Sequence, residues 1–440
     1  MTEFDKIKEK AVKETVIPHE KKEMIPFSEV QKIFDTYLML EDRGIVRLIA
    51  ATMIGNQLKT DPIWLMIVGS SSGGKTETLM RFVEVQKKGK KLCSVVSDVS
   101  AAGFLSGQRG SEQDSILNMV DTKGGMIIFK DFTSVISKRK EDRAVILGQM
   151  REIYDGTFIR RLGNGAKEWK GKVGIIGACT GVIYSALHEM GAMGERLVMY
   201  QIEQPDRMGA LNFIWKKEDD GIDGRDEMDE VSQTYVEGML RYIEENDKLS
   251  AKLPDEVRTN LSEVANFCTL ARSPVIRNFR GDMILEVPEP EMPMRTAKQL
   301  INIARAFMIM NEAEGLGETL SEKDMHILYK IAFDSIPNTY RDVLRVLTSY
   351  FYGGTIVAIS TEMGMPVDTI RYRLQDLEAR KIIEKIDDPN GKDKYLIYEE
   401  YADIMSRFEN IEIKKEELKE EEDDSTRNQE YQEYSGEIKF

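Results

Sequence analysis

The sequence predicts an α/β chain: five buried parallel strands with helices between them, then a helical region, then a small carboxy-terminal unit of helices and two strands. Three observations carry that expectation. Short apolar runs recur between residues 63 and 202, with helical patterns between several of them. The first run leads straight into Gly69-Ser-Ser-Ser-Gly73-Gly74-Lys75-Thr76, and a helical pattern, TETLMRFVEV, follows. Beyond residue 231 the periodicity is mainly helical, and no repeat of 20 to 50 residues is visible.

Taken in order, residues 1–25 are polar and weakly patterned, and Ser28 with Gln31 forms a capping box that opens a helix. Ile45, Leu48, Ile49 and Thr52 then recur at helical spacing until Asp61-Pro62 stops the pattern. The run IWLMIV (63–68) reads as a strand covered on both faces. LCSVV (92–96), MIIF (126–129), VGIIGA (173–178) and LVMYQI (197–202) read the same way. The charged stretch KKEDDGIDGRDEMDE (216–230) reads as a loop, and a hairpin is expected around MILEV (283–287). These signals divide the chain into an extension (1–36), an α/β core (37–215), a linker and helical lid (216–319), a carboxy-terminal unit (320–408) and an acidic tail (409–440). The tail, with ten acids and five bases from 414 to 440, is expected to be disordered.

Composition excludes several classes. The 440 residues are 41% hydrophobic, enough for a sizeable core. No apolar run is long enough to cross a bilayer and the amino terminus has no apolar h-region, so a cytoplasmic protein without a membrane partner is expected. The three cysteines (Cys93, Cys179, Cys268) and three histidines (His19, His188, His326) fit no zinc spacing. A net charge of -15 argues against coating nucleic acid with the whole surface, while leaving room for local basic elements.

The motif from Gly69 to Thr76 fits G-x-x-x-x-G-K-[ST] between a strand and a helix. In that setting glycines let backbone N–H groups curl round phosphates, with Ser70, Ser71 and Ser72 completing the loop beside Gly69, Gly73 and Gly74. Lys75 is then placed to reach the β and γ phosphates of ATP, and Thr76 to hold Mg2+. A second acid at a strand end completes a magnesium site, and Asp131 after MIIF-Lys130 is the candidate. Phe132 follows it where a glutamate base is usual. Either Asp131 does both jobs or Glu152 comes in from elsewhere.

Between the third and fourth strands, GTFIRRLGNGAKEWKGK carries a hairpin signal at Gly163-Asn164-Gly165 and the cations Arg160, Arg161, Lys167, Lys170 and Lys172. Such a hairpin could contact nucleic-acid phosphates while leading into the fourth strand, and a solvated surface hairpin is the plainer reading.

The order of these motifs resembles the minichromosome maintenance branch of the AAA+ ATPases, especially the smaller replicative relatives of phages and mobile genetic islands, over roughly residues 37–310. The resemblance implies a γ-phosphate sensor at Thr180 and an arginine finger at Arg196 that reaches a neighbouring subunit's ATP. It implies a second sensor at Arg295 in MPMRTAKQLINIARAF, and a homo-oligomer, with a hexamer the expected ring. The chain departs from the family's larger members in having only about 35 residues before the core.

The region 358–398 reads as helix, Gly364 turn, helix and two strands joined by Pro389-Asn390-Gly391, a winged helix pattern. Val367, Ile370, Leu374 and Leu377 form its expected buried stripe, leaving Thr369, Tyr372, Arg373 and Gln375 outward; Tyr372 and Arg373 are its candidate DNA contacts. Winged helices also serve as protein-binding or structural units. The leading expectation is therefore an ATP-driven helicase acting on single-stranded or forked DNA in replication of a mobile element or phage. An origin-binding initiator or helicase loader working with a replication partner protein is the first alternative, and a non-enzymatic nucleotide-binding DNA scaffold the second.

Overall fold

The computed structural model describes residues 24–105, 115–162, 165–187, 196–203, 206–220, 223–387 and 392–408. The expected hairpin tip at Gly163-Asn164, the Gly194-Glu195 pair before Arg196, the Pro389-Asn390-Gly391 turn, the acidic tail, His19 and His188 lie outside the described residues.

Helices α1 (Phe27–Tyr37) and α2 (Gly44–Gly55) precede β1 (Trp64–Val68). The phosphate-loop motif leads into α3 (Lys75–Met80), a small hairpin of β2 (Gln86–Lys87) and β3 (Lys90–Lys91), and β4 (Cys93–Val96). Next come α4 (Ile116–Met119), β5 (Lys123–Phe129), α5 (Thr133–Ile136) and α6 (Lys140–Tyr154). The hairpin β6 (Thr157–Leu162) and β7 (Gly165–Lys170) runs into β8 (Lys172–Cys179), and α7 (Val182–Leu187) and β9 (Val198–Gln201) close the sheet. The sheet order is β4-β5-β8-β1-β9, with every pairing parallel. All five expected strands are present.

β1 is apolar throughout because both of its faces are covered. Leu65 and Ile67 point into one core with α2 and the later helices, whereas Trp64, Met66 and Val68 point into the other. That second core includes Tyr154 of α6 and Phe158 and Trp169 of the β6–β7 hairpin. Trp64 satisfies its indole N–H on the Val173 carbonyl at 2.9 Å, which ties β1 to β8 a second time.

Helices α8 (Arg207–Asp220), α9 (Arg225–Glu245) and α10 (Asp255–Arg272) follow, then the short hairpin β10 (Ile276–Arg277) and β11 (Ile284–Glu286), then α11 (Met294–Ala313). The carboxy-terminal unit contains α12 (Glu322–Asp334), α13 (Asn338–Thr348), β12 (Gly354–Thr355), α14 (Ile356–Met363), α15 (Val367–Ala379), β13 (Ile383–Ile386) and β14 (Lys394–Ile397). Its strands form an antiparallel sheet in the order β12-β14-β13. Gly364 ends α14 in the left-handed conformation (φ 60°), which sets the turn into α15.

The end of α12 also caps the outer edge of the main sheet. The Gln201 amide donates to Asp334 Oδ2 at 2.7 Å and the Met199 amide to Ser335 Oγ at 3.1 Å, so side chains supply acceptors for N–H donors that an edge strand otherwise exposes. The carboxy-terminal unit is thus joined to the α/β core through β9, and residues from Phe27 to Phe408 share one hydrophobic core.

Several local expectations are corrected. Helix α1 starts at Phe27 after Pro26 with no side-chain cap, and Gln31 donates instead to Asp35 at 2.8 Å, so the Ser28–Gln31 capping box does not form. The helix after the phosphate loop lasts six residues, because the chain turns at Arg81 to enter β2. The charged stretch 216–230 is mostly helix: α8 runs to Asp220 and α9 begins at Arg225. Lys216, Glu218, Asp219, Asp226, Glu227 and Glu230 are exposed on these two helices. In α15, Ile370, Leu374 and Leu377 are buried as expected, but Val367 is 38% exposed because it stands in the helix's first turn.

Candidate functional site

The loop after β1 is shaped by close contacts. The Gly69 amide donates to the Cys179 carbonyl at 3.1 Å, and a Cβ on Gly69 would lie 2.7 Å from Ile202 Cγ1, so any larger residue would have to displace Ile202. Gly74 has φ +79° and Ser72 +63°, left-handed conformations that turn successive backbone amides. Lys75, the first residue of α3, is buried, and its ammonium donates to the carbonyls of Gly69, at 3.0 Å, and Ser70. Burial lowers its pKa, opposed by the nearby Cys179 and Asp131.

The ends of β5 and β8 complete the other wall. Thr76 Oγ1 donates to the Lys130 carbonyl at 3.2 Å, which brings the hydroxyl beside Asp131. Asp131 is exposed, and its Oδ1 accepts the Thr133 amide at 2.9 Å. Thr133 Oγ1 in turn accepts the Thr180 amide at 3.2 Å and lies 3.5 Å from Thr180 Oγ1. Because β8 runs between β1 and β5, Thr180 stands between the loop and Asp131. Thr76 and Asp131 fit a magnesium ion, which takes one or two protein oxygens and keeps its remaining positions for water and phosphate. Phe132 is fully buried and meets Phe129 edge-on, so it supplies no base.

Beside Ser72, Gly73 and Gly74 opens a cavity of about 650 Å³ whose walls include Tyr37 at the end of α1, Leu40 just after it, and Phe213 and Lys217 from α8. Ion pairs from Arg225 to Glu77 (2.9 Å) and from Arg81 to Asp229 (3.1 Å) fasten α9 to α3.

Other expected site residues stand elsewhere. Arg295 lies in the first turn of α11, whose Gln299 accepts the Trp64 amide at the opposite end of β1 and whose Lys298 pairs with Asp61 at 2.8 Å. The five residues of β1 separate it from the loop by roughly 15 Å, so Arg295 stands apart from the Gly69–Thr76 loop of its own chain. Glu152, near the carboxyl end of α6 beside Tyr154, also lies at that far end, since Tyr154 packs on Trp64. Arg196 precedes β9 at the same end and is 4% exposed. It pairs with Asp155 at 2.9 Å and lies over the Tyr154 ring, so it is turned into its own chain rather than outward to a neighbour.

The basic hairpin is present, but its charges are partly engaged. Arg160 donates to the Leu105 carbonyl at 2.7 Å, Lys170 pairs with Glu168 at 2.8 Å, and Lys172 is largely buried with its ammonium on the Leu58 carbonyl at 2.7 Å. Burial lowers the Lys172 pKa to about 8. Arg160 and Lys167 are register partners on the face that carries Phe158 and Trp169 into the core, whereas Arg161 is exposed. In the carboxy-terminal unit, Tyr372 and Arg373 are half-buried rather than outward. Arg277 covers the Tyr372 ring and pairs with Asp376 at 2.8 Å, while Arg373 lies over Tyr340.

Sequence reasoning missed Thr133 and Lys217. Thr133 lies two residues after Asp131 in the strand-end turn, a position that could have drawn notice, whereas Lys217 sits in a charged run that reads as solvent-facing. Compared with known proteins, the chain matches no family model and no curated protein.

Proposed function

We propose that the chain is a magnesium-dependent ATPase of the AAA+ type that works on DNA in replication, with helicase action as the leading form of that work. The observation that carries the reading is the convergence of Lys75, Thr76, Asp131 and Thr180 at the carboxyl ends of three adjacent strands, in the order β5-β8-β1. In the proposed reaction a water oxygen bonds to the γ-phosphorus while the bond to the bridging oxygen breaks, and ADP leaves with that electron pair. Lys75 and the loop amides hold the phosphates, Thr180 faces the γ-phosphate side, and Asp131 is the carboxylate at hand to take the water's proton. Magnesium, held by Thr76 and Asp131 when bound, would neutralise charge developing on the phosphate oxygens.

The DNA part of the reading is supported by connectivity. β7 ends at Lys170 and β8 starts at Lys172, so the basic hairpin and Thr180 lie on one continuous element. The helix-turn-helix and antiparallel sheet of the carboxy-terminal unit agree with the winged helix expectation. ATP hydrolysis measured with and without single-stranded DNA, together with strand displacement on forked DNA, tests the reading; hydrolysis indifferent to DNA removes the DNA half of it.

A second reading, an ATP-controlled initiator or loader without processive unwinding, is favoured by Phe132 in place of a base and by the inward Arg196. Slow hydrolysis and ATP-dependent binding of duplex DNA without strand displacement would support it.

A further inference from the structure

Two surfaces of this chain are apolar, exposed and opposite in charge. The first is on α8. Its Lys217 packs on Tyr37 and Phe213, whereas Met208, Leu211 and Trp215 recur at helical spacing on a face open to solvent, with Met208, Ile214 and Trp215 each more than half exposed. The second is the β10–β11 hairpin with the segment that leads from it into α11, where Phe279, Met283, Leu285, Met292 and Met294 are each more than half exposed. Apolar groups exposed together mark interaction surfaces, and methionine with aromatic rings is the composition of interface centres.

Charge decides the occupant. From Arg207 to Lys216 the chain has two cations, both exposed, and no acid; from Met283 to Met294 it has three acids, Glu286, Glu289 and Glu291, all exposed, and no base. The hairpin's rim therefore attracts that of α8 and repels its own kind. Both surfaces are open to solvent, so within one chain neither covers the other, and they stand at opposite ends of β1. Helix α8 lines the cavity beside Gly73 and Gly74, which follow β1. The hairpin instead springs from between α10 and α11, where Arg272 donates to Thr296 at 2.9 Å, and Gln299, one turn on, accepts the amide of Trp64, the first residue of β1. Arg277 holds the hairpin in place by pairing with Asp376 at 2.8 Å and donating to the Tyr372 carbonyl at 2.9 Å, which leaves little ordering for docking to impose.

We propose that α8 of one copy of this chain docks on the β10–β11 hairpin of a second copy. The two surfaces differ, so the contact is heterologous: a pair of copies keeps one open α8 and one open hairpin, and assembly continues into a ring or a filament. The inference goes beyond the ATPase reading, because neither surface includes Lys75, Thr76, Asp131 or Thr180 and the contact requires no hydrolysis.

Sedimentation velocity across a concentration series, with and without ATP and Mg2+, tests it. Wild type is expected to assemble. Trp215→Glu and Leu285→Glu should each weaken self-association about thirtyfold or more, the loss that a central interface anchor typically carries, while keeping the wild-type circular dichroism spectrum. Each variant retains the surface that the other has lost, so an equimolar mixture should form a heterodimer and stop there. Leu211→Glu with Met283→Glu repeats the design at other positions should either of the first two fail to fold. A monomeric wild type would leave the two surfaces to partners other than this chain and overturn the proposal. So would a folded single variant that assembles like wild type, or a mixture of folded variants that stays monomeric.

Discussion

Thr133 Oγ1 accepts the backbone amide of Thr180 at 3.2 Å, while the Thr133 amide donates to Asp131 at 2.9 Å. One side chain therefore joins the strand end that carries Asp131, the proposed magnesium ligand, to the strand end that carries Thr180, the proposed γ-phosphate sensor. With Phe132 buried, this link defines where Thr180 and Asp131 stand relative to each other. Thr133→Val removes the acceptor and keeps the shape. It should lower kcat about tenfold or more while leaving the ATP dissociation constant near wild type, because transition-state groups are misplaced and the phosphate cradle is not. Thr133→Ser should restore most of the rate. Equal loss in both variants would make Thr133 a packing residue.

Lys75→Ala should abolish ATP hydrolysis and keep the fold. The lysine is buried, but its bonds go to two loop carbonyls rather than into the core, so the stability change is expected within ~1 kcal/mol. ATPase rate and melting temperature are measured on the same preparation. Hydrolysis at the wild-type rate would end the phosphate-loop assignment.

Arg196→Ala should act on stability. The guanidinium is enclosed between Asp155 and Tyr154, and its removal costs packing as well as an ion pair. Because Asp155 remains half-exposed, the expected loss is ~1–2 kcal/mol rather than the larger value of a fully buried pair. A double-mutant cycle with Asp155→Ala in urea unfolding measures the coupling. Mixing Arg196→Ala with Lys75→Ala tests the finger that the resemblance implies: return of ATPase in mixed, exchanging oligomers would show that Arg196 swings outward to a neighbour's nucleotide.

What the sequence could and could not reveal follows from the range of each signal. All five core strands were legible because strands buried on both faces are continuous apolar runs, and IWLMIV and VGIIGA carry that in consecutive letters. The glycine-rich loop between β1 and α3 was legible because its glycines and lysine sit within eight residues. Helix α8 was not, because its carboxyl half is the charged run KKEDD and several of its apolar side chains, among them Met208, Leu211 and Trp215, are exposed. Arg295 and Arg196 fit the motif order of the resemblance, but order along the chain does not say at which end of a strand a residue will stand. Gln299 on the Trp64 amide and Asp155 on Arg196 are contacts across 235 and 41 residues, and these fix both arginines.

Lys172 gives a pH prediction. Its folded pKa is lowered to about 8 by burial, below the ordinary 10.5, so between those values the unfolded chain binds the extra proton. Unfolding free energy therefore rises with pH across that window, and the cost of burying the charge is fully present below pH 8. The shift corresponds to roughly 3 kcal/mol at most. Lys172→Met removes the cost and also leaves the Leu58 carbonyl without its donor. The stability difference between variant and wild type should move in favour of wild type as pH goes from 7 to 10. A difference constant with pH, measured by urea unfolding at matched ionic strength, would contradict a depressed Lys172.

Arg161 is the hairpin cation best placed for DNA. Arg160 is spent on the Leu105 carbonyl, Lys170 on Glu168 and Lys172 on Leu58, and Lys167 shares the inward face with Arg160, whereas Arg161 is exposed. Arg161→Ala should weaken single-stranded DNA binding and flatten its salt dependence by about 0.7 in the log–log slope, one phosphate's worth on a single strand. Since β7 continues into β8 and Thr180, the same change should reduce DNA stimulation of the ATPase while basal hydrolysis persists. Lys167→Ala, on the inward face, should have the smaller effect on the salt slope. Unchanged slopes in both variants would take the hairpin out of the DNA interface and leave the carboxy-terminal unit to carry it. There Tyr372 and Arg373 are already engaged by Arg277 and Tyr340, so contact would have to fall on other residues of that unit.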